Sequence, residues 1–233
     1  MITGIVAALP EEISTLTRQK IGRGCCTFIA PGIVLARSGA GPNNAKVAAE
    51  RLVDRGAKRL ISWGCAGALN ETLKPGDLTL VATLVSGQME TIDIQSPWLS
   101  ETRRILSGLK PHISGCLAES KTIVSLTEDK KKLRRQTQAC VLDMESIAIA
   151  QIARQHNVPF LAIRAIADPV DMSLPQTVIQ ALNSEGDVVL SRLLSYLARH
   201  PSELTRLVKL GRHFNAAQKT LKLAARYLDA FTR

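Results

Sequence analysis

Two apolar runs, Ala139 to Leu142 and Phe160 to Ala167, are separated by an amphipathic stretch of helical length, and each ends on an acid. The first enters Asp143-Met144-Glu145 and the second enters Asp168-Pro169. Apolar runs without strict alternation indicate strands covered on both faces. In open α/β sheets, ligands bind outside the carboxyl ends of strands. The order strand, acid, helix, strand, acid therefore reads as two halves of one site.

The remaining sequence continues the alternation. Ile2 to Ala8 reads as a buried strand, followed by a helix carrying Glu11 and Glu12. Ile33 to Arg37 is a strand ending on Ser38-Gly39-Ala40-Gly41-Pro42, and the helix from Asn43 to Arg55 puts Ala45, Ala48, Ala49 and Leu52 on one side. Leu60 to Trp63 is a strand into Gly64-Cys65-Ala66-Gly67, and Leu78 to Val85 is a longer strand after the turn at Lys74-Pro75-Gly76-Asp77. The expectation is an α/β fold, a mixed central sheet flanked by helices, forming one domain over residues 1–198. Residues 199–233 read as a separate basic tail, because Leu204, Leu207, Gly211, Phe214, Ala217, Leu221, Ala224, Leu228 and Phe231 recur at helical spacing. Three uses of that tail stay open: packing on the core, a subunit contact, or peripheral contact of residues 204–231 with an anionic membrane.

Composition removes several classes of function. The net charge of +10 suggests nucleic acid, but aromatic residues are only 3% and no stacking stripe or reading module is present. The excess is local: from Arg199 to Arg233 eight Lys/Arg face only Glu203 and Asp229. The second basic run, Lys130-Lys131-Lys132-Leu133-Arg134-Arg135, reads as the solvated face of a surface helix. Five cysteines without a CxxC pair fit free thiols in a reducing cytoplasm, and adjacent Cys25-Cys26 reads as structural. The N-terminus shows no basic leader, and no apolar stretch reaches the ~18 residues of a membrane span. Histidines at 112, 156, 200 and 213 are scattered, so neither a metal site nor a triad is expected.

Gly39-Ala40-Gly41 lacks the third glycine of a dinucleotide fingerprint, since position 44 is Asn44. Its small residues suit close approach of an anion or a hydroxyl to backbone N–H groups. What carries chemistry is the set of carboxylates at strand ends: Glu12, Glu145 and Asp168, with Arg164 nearby. Singly, each has a bland reading, Glu12 and Glu145 as helix-start acids and Asp168 as a turn residue. Together, beside glycine-rich strand ends, they describe a pocket for a hydroxylated ligand and acid chemistry on it.

Gly4-Ile5-Val6-Ala7-Ala8-Leu9-Pro10-Glu11-Glu12, Ser38-Gly39-Ala40-Gly41, and Gly64-Cys65-Ala66-Gly67-Ala68 with Leu73-Lys74-Pro75-Gly76-Asp77-Leu78 occur in order, followed by Asp143-Met144-Glu145-Ser146 and Arg164-Ala165-Ile166-Ala167-Asp168. This set resembles the purine nucleoside phosphorylase and methylthioadenosine/adenosylhomocysteine nucleosidase superfamily. Leu9-Pro10, Ser62-Trp63-Gly64 and the segment from Pro201 are similar to its hopanoid-associated phosphorylase branch. That branch is expected to remove adenine from adenosylhopane. The resemblance implies that Glu145 takes the ribose hydroxyls, that Met144 packs under the sugar, and that Asp168 holds or delivers a proton to purine N7. It places Asp143, Gly64, Cys65, Ser38, Gly39 and Gly41 around the substrate, with Glu12 and Arg164 on the attacking side. No cofactor or metal is implied.

The attacking group stays open between water and inorganic phosphate as co-substrate. Glu12 and Arg164 match the nucleosidases, in which the glutamate orients water. Many phosphorylases carry an arginine where this chain has Trp63, and Cys65 stands where a serine would donate better. Phosphate could be held by the N–H groups of Gly39 to Asn44 and by Arg37. A methylthioadenosine/adenosylhomocysteine nucleosidase and a catalytically inactive nucleoside-binding protein are the alternatives. A homo-oligomer is expected, cytoplasmic or peripheral at the inner membrane face.

Overall fold

Thr3 to Ala7, Leu60 to Trp63 and Phe160 to Ala167 are buried from end to end, which suits strands with neighbours on both sides and helices on both faces. The computed structural model describes residues 1–113, 115–181 and 189–232. Along the chain come β1 (Ile2–Ala7), α1 (Pro10–Ile13), β2 (Cys26–Ala30), β3 (Ile33–Arg37), α2 (Pro42–Asp54), β4 (Ala57–Ala68), β5 (Leu78–Leu80), β6 (Thr83–Val85) and β7 (Thr91–Asp93). They are followed by α3 (Pro97–Ile105), β8 (Cys116–Glu119), α4 (Thr127–Thr137), β9 (Val141–Asp143), α5 (Ser146–Gln155), β10 (Phe160–Asp168), α6 (Gln176–Ala181), α7 (Leu190–Arg199), α8 (Leu204–Ala225) and α9 (Leu228–Thr232). The strands form one mixed sheet in the order β2-β3-β1-β4-β9-β8-β6-β7, with β10 paired to β4 and to β5.

Strand β4 organises the sheet. It lies parallel to β1 and β10, and then antiparallel to β9 through Gly67↔Leu142. Gly64 to Gly67, expected to follow a strand ending at Trp63, are part of the strand itself, because β10 and β9 offer ladder partners along its whole second half. The expected strand Leu78 to Val85 is divided for a related reason. Its first part pairs with β10 and its second with β8, so the chain crosses between two regions of the sheet.

Side chains alternate across β10 with period two. Phe160, Ala162 and Ile166 face the side covered by α2 and α5, whose Ala45, Ala48, Ala49, Leu52 and Ile149 complete that core. Leu161, Ile163, Ala165 and Ala167 face the opposite side, against Trp63, Leu99, Ala217, Leu221, Ala224 and Phe231. Arg164 falls on the α5 side by this count, level with Gly64 across the ladder and two pairs beyond Ala162↔Ser62.

The second core is where the C-terminal segment belongs. Ala217, Leu221 and Ala224 of α8 are fully buried, Phe231 is 2% exposed, and Thr220 Oγ1 donates to the Gly76 carbonyl at 2.6 Å. Of the three uses left open for residues 199–233, packing on the core is what their C-terminal half does. The apolar stripe Ala217, Leu221, Ala224, Leu228 and Phe231 is thereby buried against the sheet. Truncating such a buried leucine costs about 2–5 kcal/mol. In α7 and the first half of α8 apolar side chains are exposed: Leu190 is 65% and Leu194 55% accessible. Among the described residues no helix is long and apolar enough to cross a membrane, and Cys25 and Cys26 are unbridged.

Candidate active site

Two buried cations, one among several acids and one paired with a single acid, lie near the two ends of the Gly64–Gly67 portion of β4. The first is Arg164. Its Nη2 reaches Asp143 Oδ2 at 2.6 Å, Ser62 Oγ at 2.5 Å, Ser146 Oγ at 3.1 Å and Glu145 Oε2 at 4.0 Å. Position 64 must be glycine for this to fit: a Cβ there would lie 2.5 Å from Arg164 Nη1 and 2.3 Å from Glu12 Oε1. Both of those side chains are buried and held, so neither can step aside freely.

Glu12 sits in the short helix α1, started by Pro10 at a position where proline loses no hydrogen bond. Its Oε2 accepts the N–H groups of Ala8 and Leu9, each at 3.0 Å, and its Oε1 accepts the Cys65 N–H at 2.8 Å. Burial raises the Glu12 carboxyl above its ordinary value, opposed by Arg164 and by those three N–H groups. The Cys65 thiol is pushed well above its usual value by burial and then by Glu12, so it stays neutral.

Glu145 stands where β9 gives way to α5. Its Oε1 accepts the Gly41 N–H at 2.9 Å. Gly39 and Gly41 adopt φ of +85° and +94°, left-handed geometry that glycine takes without strain and that turns the loop toward Glu145. Ser38 Oγ donates to the Gly39 carbonyl at 2.8 Å and so serves the loop's own shape. The Glu145 carboxyl is raised to about 7, by burial first and by Asp143 next, against the pull of Arg164 and the Gly41 N–H. Asp143 is committed elsewhere: its Oδ1 accepts the N–H groups of Glu145 and Ser146, and its Oδ2 meets Arg164. It positions the arginine and the start of α5. Met144 lies half-buried between these two acids in the chain.

The second cation is Lys130. The basic run on α4 was expected to be solvated, and Lys130 is not: it is fully buried, with Nζ 2.7 Å from Asp168 Oδ1. Its i+3 neighbour Leu133 packs on the small core around Leu142, so helical spacing turns Lys130 inward. Asp168 pairs with Gly67 across a register shift in β10, a bulge of the kind that re-aims a side chain. Burial raises the Asp168 carboxyl, Lys130 opposes that rise, and Asp171 adds to it. The ladder pairs Arg164↔Gly64 and Asp168↔Gly67 set the two clusters apart by three residues of β4, roughly 10 Å along the strand.

Glu12, Arg164, Glu145, Gly41, Gly64 and Cys65 are thus brought together, with Asp168 at the other end of the same strand segment. The residues that sequence reasoning missed are Lys130, Ser62 and Ser146. Ser62 carried a signal, being a polar side chain inside an apolar strand that needs a buried partner. Arg37 Nη1 donates to the Ile21 carbonyl at 3.4 Å, and the side chain lines a cleft of about 490 Å³ with Arg18 and Lys20.

The strand ends of the mixed sheet thus present two separated groups of carboxylates over glycine-rich backbone. The chain belongs to the phosphorylase superfamily, whose family model matches residues 3–197. It is 27% identical over 220 residues to the 5'-methylthioadenosine/S-adenosylhomocysteine nucleosidase of Staphylococcus epidermidis, covering 80% of this chain and 96% of that protein. It is 32% identical over 199 residues to the nucleosidase of the same name from Buchnera aphidicola, covering 73% and 79%. A mutant of the Helicobacter pylori nucleosidase, solved with 5'-methylthioadenosine in the active site, superposes with a TM-score of 0.72 at 18% identity over 99% of this chain and 97% of that one. The futalosine hydrolase of Helicobacter pylori superposes with a TM-score of 0.70 at 17% identity, covering 98% and 96%. These two structures share the fold.

Proposed function

We propose that the chain hydrolyses the N-glycosidic bond of a purine nucleoside, adenine being the leaving base. The observation that carries this reading is the division of the acids: Glu12 and Glu145 gather around Arg164, while Asp168 stands apart with Lys130. Glu145 accepts the ribose hydroxyls, with Met144 against the sugar, and a carboxylate accepting two hydroxyls at once is a strong and oriented grip. Asp168, whose carboxyl burial pushes upward against the pull of Lys130, gives a proton to purine N7 as the C1′–N9 bond breaks and the bonding pair stays with the base. Positive charge then builds on the ribosyl ring. Water forms the new bond to C1′, and Glu12, held over the Cys65 N–H, takes its proton. Leaving-group protonation by a placed acid contributes on the order of 10²–10⁴ in rate.

Water is favoured over phosphate because Asp143, Glu145 and Glu12 crowd around Arg164, so that a phosphate dianion there would meet acids as well as the cation. The nucleosidase relatives point the same way. Incubation of an adenine nucleoside in phosphate-free buffer should release adenine and free sugar. Release that begins only on adding phosphate, with sugar 1-phosphate as product, would overturn hydrolysis.

The 5′ substituent separates two substrates, the thioether of the named relatives and a lipid such as hopane. The exposed face of α7 and early α8 favours an adenosyl-lipid. Leu190, Leu194, Leu204 and Val208 are between 46% and 65% exposed, and Arg192, Arg199, Arg206, Lys209 and Arg212 accompany them against Glu203 alone. Such a face suits the headgroup region of an anionic inner membrane surface. Flotation with anionic vesicles should carry the wild type and leave L190E/L194E behind. Equal partitioning would remove the membrane contact, and faster turnover of methylthioadenosine than of an adenosyl-lipid would remove the lipid substrate. The expected homo-oligomer is checked by light scattering, a monomer mass being the contrary result.

A further inference from the structure

Lys130 combines complete burial with three close acceptors: Asp168 Oδ1 at 2.7 Å, the Met172 carbonyl at 2.7 Å and the Pro169 carbonyl at 2.9 Å. We propose that Lys130 is a positioning residue for the proton donor, fixing one oxygen of Asp168 and the segment that follows it so that the other oxygen delivers the proton to the leaving base. The inference rests on the reading of Asp168 as that donor.

The geometry selects an ammonium. Three acceptors match the three N–H donors of a protonated lysine, whereas a neutral amine would leave one acceptor facing a lone pair. An ammonium removed from water persists only where its donors are satisfied. With Oδ1 taken by Nζ, Oδ2 lies on the side of Gly67, where an added Cβ would be 3.6 Å from it. The same ammonium ties α4 to Pro169 and Met172, and the Thr127 N–H and Leu174 N–H close the same seam onto Ser173 Oγ and the Ser125 carbonyl. The carboxyl is therefore held in place from the helix and from its own loop together.

Charge gives Lys130 a second effect. The charged groups bearing on Asp168 are Lys130 from α4 and Asp171 from the following segment, with opposite effects. After the proton leaves Oδ2, the new carboxylate is already paired with an ammonium. Lys130 thus makes Asp168 a stronger acid at the moment of transfer, while burial favours the protonated form.

The test compares K130M with K131M, whose lysine is 43% exposed and paired with Glu128 at 3.6 Å. K131M should behave as wild type. K130M should lose about 10- to 100-fold in kcat with KM within several-fold, and the basic limb of its pH–rate profile should move upward by about one pH unit or more, because Asp168 has lost the cation that holds it down. K130Q, which keeps two donors and no charge, judges the same claim where K130M does not fold. Ethylammonium should partly restore K130A. A carboxyl ¹³C titration of Asp168, assigned by its loss in D168N, reads the coupling without turnover: its midpoint should rise in K130M. An unmoved midpoint or an unmoved basic limb would overturn the proposal and leave Lys130 as a structural tie only. If the wild type cleaves no nucleoside at all, the hydrolase reading and the proton-transfer role fall together, while the titration still decides whether Lys130 governs Asp168.

Discussion

Arg164 and Lys130 are both buried cations, yet their surroundings are opposite in kind. Arg164 faces three carboxylates, those of Asp143, Glu145 and Glu12, whereas Lys130 faces one carboxylate and two carbonyls. Burial works against the charge of Arg164, but the acids around it more than compensate and raise its pKa. Three acids around one cation cannot all ionise freely in a dry site, and Glu145 carries the consequence, raised to about 7. The Arg164 cluster is thus adjustable near neutrality and suited to gripping hydroxyls and water. At Lys130 a single pair is held in place by two carbonyl acceptors, which suits one directed proton transfer. The same burial of charge gives two electrostatic settings because the ratio of acids to cations differs.

Removing the acid from each cluster is the strongest way to separate them. D168N should lower base release on the order of 10²–10⁴-fold while nucleoside affinity stays within several-fold. E12Q should lower it comparably, read in single-turnover assays. An unchanged rate in either variant would remove that residue from the mechanism.

Next in size is the cation itself. R164M leaves Asp143, Glu145 and Glu12 without their shared partner, so unfolding by denaturant should show a loss of about 3–5 kcal/mol. A variant as stable as wild type would mean that the acids had taken up protons at little cost.

The pH dependence of stability tests the crowding of acids. Glu145 has a folded-state value of about 7 against its ordinary 4.5, so the folded state binds more protons between those limits. Its contribution to stability is complete below the lower value and is lost as pH rises through the upper one. Glu12 and Asp168 are shifted in the same direction. The melting temperature of the free protein should fall between about pH 5 and 8, and E145Q should flatten that slope. Over the same rise nucleoside binding should tighten, since the ionised carboxylate is the form that accepts the ribose hydroxyls, and E145A should abolish the gain. A slope unchanged in E145Q would place the proton uptake elsewhere.

The smallest expected effect is at Cys65. C65S supplies a better donor beside Glu12, and one such hydrogen bond is worth about 0.5–1.5 kcal/mol. Turnover should rise by a few-fold, and a large loss would show that the thiol fills space a hydroxyl cannot.

The two clusters also differ in how legible they were. Arg164 interrupts an otherwise apolar strand, and Glu12, Glu145 and Asp168 each follow one, which is why strand-end logic singled out all four as candidates. Lys130 lies within three consecutive lysines, and composition there points to solvent; only its spacing to Leu133 marked the inward face. The C-terminal helix was found by periodicity, but its partner was not, because a stripe of Ala217, Leu221 and Ala224 looks the same whether a core, a subunit or a lipid covers it. Nor could a local pattern foresee β4 continuing through Gly64–Gly67, since the ladder partners that extend it, β9 and β10, come more than seventy residues later.

The division of labour between the clusters is tested most directly with a leaving group that needs no protonation. On a purine nucleoside, D168N and E12Q should both be slow. On 4-nitrophenyl riboside, whose phenolate leaves unaided, D168N should come within several-fold of wild type while E12Q stays slow. Equal losses for both variants on both substrates would contradict separate roles for the two acids.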